Sequence, residues 1–93
     1  MIKSFADKNT EAIYNRKRKK GLHPDLAKKA FKGLRNIESA VLLDDLRIPP
    51  GNKLEWLKGT RKGQNSIRVN DQWRICFNWI DGNAFDVEFC DYH

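Results

Sequence analysis

The chain closes on Asp91-Tyr92-His93, a carboxylate, a phenol and an imidazole in succession, and Arg74 stands upstream of them in Gln72-Trp73-Arg74. Brought within reach of one another, such groups can bind and cleave a phosphodiester. An imidazole ionises close to neutral pH and can give or take a proton there. A guanidinium offers phosphate oxygens a planar fork of donors that keeps its charge. A histidine at a chain end is most often solvated and frayed, so the triplet acquires meaning only if the fold gathers it with Arg74.

Further cations lie along the chain. Lys58-Gly59-Thr60-Arg61-Lys62-Gly63 sets three of them in one short connection, which either clamps an RNA backbone through its phosphates or is an ordinary solvated link. Arg16, Lys17, Arg18, Lys19 and Lys20 offer an unspecific attraction to phosphate, although such a run is more commonly a solvated helix end. His23, just ahead of Pro24, reads as a satisfied or exposed residue of a helix-start loop. Glu55, beside Lys53, could act as a base but reads as a strand-edge charge. No glycine-rich phosphate loop, Cys/His zinc spacing or Ser/His/Asp order occurs, so no metal or cofactor is expected. Nucleotide hydrolysis, metal catalysis and serine chemistry therefore have no carrier here.

Eighteen Lys and Arg face twelve Asp and Glu over 93 residues, a formal net charge of +6. That excess favours an anionic partner: nucleic acid, anionic lipid or an acidic protein. A hydrophobic fraction of 40% with three tryptophans indicates a packed core. The length predicts one small domain over residues 1–93. No apolar run approaches the roughly 20 residues of a membrane helix, and no signal-peptide core follows Met1. Cys76 and Cys90 show no metal spacing, so reduced thiols in a cytoplasmic protein are expected.

The elements that must position these residues follow from period and punctuation. Residues 1–6 are short and partly apolar, suiting a strand. Asp7 offers an N-cap to a helix through Thr10-Glu11-Ala12-Ile13-Tyr14, which is expected to run on through the basic stretch and stop at Gly21. Pro24 opens a second helix with Asp25 near its positive end. Leu26, Ala27, Ala30, Leu34, Ile37 and Val41 form its buried face, and Gly33 weakens it modestly. Residues 44–52, with Pro49-Pro50-Gly51-Asn52, are expected to form the main loop without regular structure.

From Lys53 the period becomes two. Leu54 and Trp56, Ile67 and Val69, Trp73, Ile75, Phe77 and Trp79, and Phe85, Val87 and Phe89 alternate with polar residues, which predicts an antiparallel sheet with one apolar and one polar face. A three-residue loop, Asp81-Gly82-Asn83, would pair Trp79 with Phe85, Phe77 with Val87 and Ile75 with Phe89. In that register Arg74 faces Cys90, with Tyr92 diagonal to it on the polar face. Arg68 shares that face by its own strand's alternation. Asp91 and His93 alternate to the other side, so His93 joins Arg74 only if the strand bends or ends.

The stretches Pro49-Pro50-Gly51-Asn52-Lys53-Leu54-Glu55, Leu57-Lys58-Gly59 and Ser66-Ile67-Arg68-Val69-Asn70-Asp71-Gln72-Trp73-Arg74-Ile75, with the closing Asp91-Tyr92-His93, closely resemble HigB-type toxins. These are also called plasmid maintenance system killer proteins and belong to the RelE/ParE superfamily. Met1-Ile2-Lys3-Ser4-Phe5 and Thr10-Glu11 fit the family's opening, so the resemblance spans nearly the whole chain. Residues 66–75 and the terminal triplet are its specific part. It implies a RelE/ParE-like α+β fold with an N-terminal strand, two helices and an antiparallel sheet packed on them. It also implies a ribosome-dependent endoribonuclease cutting mRNA in the 70S decoding site, restrained by a helix-turn-helix, HigA-like antitoxin.

Matched residue by residue, the resemblance puts Lys58, Arg74, Asp91, Tyr92 and His93 in the active site, with Arg68 nearby. Lys53, Arg61, Lys62 and the run from Arg16 to Lys20 are candidate RNA or ribosome contacts by charge. Some members of the family carry His where this chain has Glu55, so a two-histidine acid/base pair is absent. The expected reaction is attack of a ribose 2′-OH on its own 3′-phosphate, leaving a cyclic phosphate and a 5′-OH. His93 or Asp91 would move protons, Arg74 and Lys58 would hold the pentavalent phosphate, and Tyr92 would orient the nucleotide. Two rivals stand beside this reading. A ParE-like gyrase inhibitor has no use for the Arg74, Tyr92 and His93 set, and a non-catalytic RNA- or ribosome-binding module would be indifferent to loss of His93.

Overall fold

A computed structural model describes residues 1–17 and 21–91. Arg18, Lys19, Lys20, Tyr92 and His93 lie outside the described residues. Asp7 caps helix α1, Lys8–Tyr14, by accepting the Thr10 N–H at 2.6 Å. Contrary to expectation, α1 ends at Tyr14 and does not continue into the basic run. Arg16 turns left-handed (φ 57), and the N–H groups of Arg16 and Lys17 return to the carbonyls of Ile13 and Ala12. That double return is a Schellman closure, which stops a helix by satisfying its last carbonyls.

Helix α2, Pro24–Ser39, starts where Pro24 predicts, and His23 caps it by accepting the Asp25 N–H on Nδ1 at 3.1 Å. Its buried residues are Ala30, Gly33, Leu34 and Ile37. Val41 is not part of that face. The chain turns extended at Ala40, and Val41 is 74% exposed. Residues 44–52 are also more ordered than expected, with two short 3-10 turns at Leu43–Arg47 and Pro50–Asn52. Asp45 accepts the N–H groups of Val41 and Leu42, and buried Asn52 donates to the carbonyls of Leu46 and Ile48.

The sheet comprises β1 (Glu55–Trp56), β2 (Asn65–Arg68), β3 (Trp73–Ile80) and β4 (Asn83–Asp91) in spatial order β1-β2-β3-β4, each pair antiparallel. The N-terminal segment runs parallel beside β4, with bridges from Ile2 to Ala84 and from Phe5 to Val87. Between those bridges Asp86 is left-handed (φ 52), and its N–H donates to Ser4 Oγ instead of to a ladder carbonyl.

The β3–β4 hairpin corrects the expected loop. Asp81 (φ 51) and Gly82 (φ 78) make a two-residue turn, so Trp79 faces Ala84 and Asn78 faces Phe85. An extra β4 residue is then absorbed as a bulge at Asp86–Val87 opposite Phe77. Past it, Ile75 faces Phe89 and Arg74 faces Cys90, the register the alternation predicts. Because the slip lies between the turn and the bulge, Ala84 rather than Phe85 enters the core with Ile67, Ile75, Phe77, Val87, Leu34 and Ile37. Gly33 lets α2 lie close on this sheet: a Cβ there would meet Ile75 Cδ1 at 2.8 Å. Trp73 stacks on Phe89 with ring centroids 4.7 Å apart. Trp56, expected on the apolar face, sits at the outer edge of its row and is 63% exposed.

Candidate active site

Directly opposed residues of an antiparallel ladder share a face. The register therefore draws two rows across the sheet surface turned away from the helices. One reads Glu55, Ser66, Cys76, Glu88; the other reads Arg68, Arg74, Cys90. Leu57 packs over Cys76 and Cys90, giving this face a small apolar floor.

Arg74 is the centre of the arrangement. Its side chain is only 11% exposed. Nε donates to Ser66 Oγ at 2.7 Å, and Nη2 donates to the Lys53 carbonyl at 2.7 Å and to the Ser66 carbonyl at 3.4 Å. Glu55 Oε2 lies 3.8 Å from Nη2. Nη1, with two N–H groups, has no hydrogen-bond partner among the described residues. A charged fork held along one edge, with a nitrogen left unbonded among the described residues, is suited to a phosphate oxygen.

The remaining cations differ in how committed they are. Arg61 reaches across to Glu88 Oε1 at 3.0 Å and to Gln64 Oε1 at 3.2 Å. The hydrogen bond with Glu88 raises its already high pKa. Arg68 pairs with Asp71. Lys58, before the 3-10 turn Gly59–Arg61, is exposed, as are Lys62 after it and Lys53. Arg16 lies on the helix layer, its guanidinium 4.4 Å from the Phe31 ring centroid, and Lys17 follows it exposed. Asp91 faces Trp73 on the opposite side of the sheet from Arg74, and its Oδ2 accepts from Gln72 Nε2 at 2.9 Å.

Two features escaped the sequence reading. Cys76 and Cys90 lie with sulfurs 3.2 Å apart in the floor of this face. That shared hydrogen bond lowers the Cys76 pKa, with help from nearby Arg61 and Arg74, and together with burial it raises that of Cys90. Ser66, fully buried, is an anchor for Arg74. Its place on the polar face was readable from strand alternation, but its partner was not. Among the described residues no cluster of His, Cys, Asp or Glu is assembled to hold a metal ion.

Comparison with known proteins agrees with this fold. The family model for the RelE-like toxin of the type II toxin–antitoxin system HigB matches residues 3–93. The chain belongs to the HigB-like toxin family. Toxin HigB-1 of Vibrio cholerae serotype O1 is 42% identical over 94 residues, spanning 100% of this chain and 98% of that protein. Endoribonuclease HigB of Proteus vulgaris is 33% identical over 93 residues and spans both chains fully. Among solved structures, the YoeB–YefM complex of Staphylococcus aureus superposes with a TM-score of 0.62 at 19% identity, covering 100% of this chain and 98% of that one. That similarity is one of fold.

Proposed function

We propose that the protein is the toxin of a type II toxin–antitoxin pair and acts as an endoribonuclease that cuts mRNA on the ribosome. The observation that carries this reading is Arg74: a nearly buried guanidinium, held along one edge, whose Nη1 has no hydrogen-bond partner among the described residues and which has a carboxylate beside it. The relative named Endoribonuclease HigB, aligned over its whole length, supports the same activity.

In the proposed reaction the ribose 2′-OH attacks the adjacent phosphorus and the 5′-oxygen leaves, giving a cyclic phosphate and a 5′-OH. Arg74 and Lys58 hold the phosphate as charge builds on its oxygens. Preorganised charge of this kind is usually the largest catalytic contribution. Glu55, beside Arg74, accepts the 2′-OH proton, and His93, given a bend or an end of the strand after Asp91, returns a proton to the leaving oxygen. Tyr92, which the sequence pattern assigns to the Arg74 face, orients the nucleotide. Asp91, bonded to Gln72, supports the end of β4. Lys53, Lys62, Arg68 and the basic run beyond Arg16 contact ribosomal or messenger phosphates, with Arg61 at the margin. The nucleophile belongs to the substrate, so no metal is required.

A single domain of residues 1–93 carries the activity in the cytoplasm, where the ribosome is, and a helix-turn-helix, HigA-like antitoxin restrains it. The solved neighbours are toxin–antitoxin complexes, which supports that partnership. The test is to map RNA ends produced from mRNA with and without 70S ribosomes, using wild type, Arg74→Lys and Glu55→Gln. Ribosome-dependent cuts with 5′-OH ends, lost or strongly slowed in both variants, are expected. Equally efficient cleavage of naked mRNA, or full activity of Arg74→Lys, would refute the reading.

A further inference from the structure

We propose that Ser66 and the Lys53 carbonyl form a two-point clamp that orients the Arg74 guanidinium, making Ser66 a positioning residue for the reaction. The inference rests on the reading of Arg74 as the phosphate-binding arginine. It begins from a segment whose role the site left open, residues 49–55, which the sequence singles out and in which no charged side chain other than Lys53 and Glu55 occurs.

An arginine has five N–H donors in one rigid plane. Its charge is present wherever the side chain points, but bidentate recognition of a phosphate requires the plane to be fixed. Here Nε meets Ser66 Oγ at 2.7 Å and Nη2 meets the Lys53 carbonyl at 2.7 Å. Two hydrogen bonds at different corners of a planar group remove its rotation about the last side-chain bonds and engage neither N–H of Nη1. Ser66 is fully buried in the middle of β2, paired on both sides, to Glu55 and to Cys76. One jaw is therefore as rigid as the sheet.

The second jaw is built by the loop. Lys53 is left-handed (φ 44, ψ 58), a conformation unfavourable to any residue with a Cβ. It is kept there because its N–H closes on the Pro50 carbonyl at 3.1 Å and because Asn52 before it is pinned. Asn52 is buried, and its Nδ2 donates to Leu46 and Ile48 carbonyls at 3.2 and 3.4 Å. The Pro50–Asn52 turn thus serves to aim one backbone carbonyl at Arg74. The strained backbone sits where it can orient a functional group, as such strain commonly does.

A structural role alone would predict that losing Ser66 weakens the fold; the clamp predicts that the loss acts through Arg74. In the free protein, the NMR exchange rate of the Arg74 Nε proton should be slow and should rise in Ser66→Ala. In ribosome-programmed cleavage, Ser66→Ala should lower kcat by about 10–100-fold, the scale of a misplaced catalytic group, with KM little changed. On an Arg74→Lys background, which has no fork to orient, Ser66→Ala should add nothing. Unchanged Nε exchange, wild-type kcat in Ser66→Ala, or losses that simply multiply in the double variant would overturn the clamp. Full activity of Arg74→Lys would instead remove the phosphate-binding reading and the clamp with it. If melting shows Ser66→Ala unfolded, Ser66→Cys, near-isosteric with a weak acceptor, is put through the same measurements and judged by the same outcomes.

Discussion

At the scale of single residues, Arg74 joins stability and chemistry. Side-chain position alone would mark it as a polar-face residue, and exposed-face substitutions usually shift stability by under about 0.5 kcal/mol. Its three hydrogen bonds and 11% exposure change that expectation. A well-made, buried bond to a charged group contributes about 1.5–3 kcal/mol; of the three only the one to Ser66 Oγ is both short and part-buried, and its removal leaves that oxygen without its donor. Arg74→Ala should therefore lose about 2–3 kcal/mol in urea denaturation as well as about 2.7–4 kcal/mol of transition-state stabilisation in cleavage. A variant as stable as wild type would contradict the geometry.

Asp45 gives a residue-scale prediction away from the site. The N–H groups of Leu42 and Val41, both at 2.9 Å, hold its carboxyl below the ordinary value. With the folded pKa below the unfolded one, its contribution is present above the unfolded pKa and is lost as pH falls through the folded one. Asp45→Asn should lower stability near neutral pH and flatten the acid limb of the stability–pH curve. Identical acid limbs in the two proteins would count against this.

At the scale of elements, the docking of α2 on the sheet depends on the missing side chain of Gly33. In an exposed helix Gly→Ala gains about 1 kcal/mol. Here the new methyl would stand 2.8 Å from Ile75 Cδ1 and 3.5 Å from Ile67 Cδ1, both fully buried. Overpacking a filled core costs about 1–3 kcal/mol, so Gly33→Ala should be destabilising on balance, with a lower melting temperature. A raised melting temperature would show that Ile75 repacks freely.

At the scale of the whole molecule, the +6 charge divides into committed and uncommitted cations. Arg61 and Arg68 are paired with Glu88 and Asp71, whereas Lys58 and Lys62 are exposed without an ion pair among the described residues. Removing one cation that neutralises a phosphate should make the dependence of log K on log salt shallower by about 0.7–0.9. Lys58→Ala and Lys62→Ala should each show that change in ribosome binding. Arg61→Ala should chiefly reduce stability, since it leaves a half-buried Glu88 unpaired. Equal salt slopes for wild type and both lysine variants would remove those lysines from the interface.

The order of elements, the cap at Asp7, the start of α2 at Pro24 and the two faces of the sheet were legible in the chain, because each is set by residues a few positions apart. Even the pairing of Arg74 with Cys90 was legible, although the expected loop differs from the real one. A two-residue turn followed by a one-residue bulge at Asp86 restores the same parity as a three-residue loop. Alternation reports parity alone, so it placed Arg74 correctly and Phe85 wrongly. What required the tertiary structure were interactions whose partners are distant in sequence. The 3-10 turn that aims Lys53 at Arg74, Arg61 on Glu88 and the gap that only Gly33 can leave beneath Ile75 all belong to this class. Composition could show that the chain carries many cations; packing decided which of them are tied to carboxylates and which stay exposed.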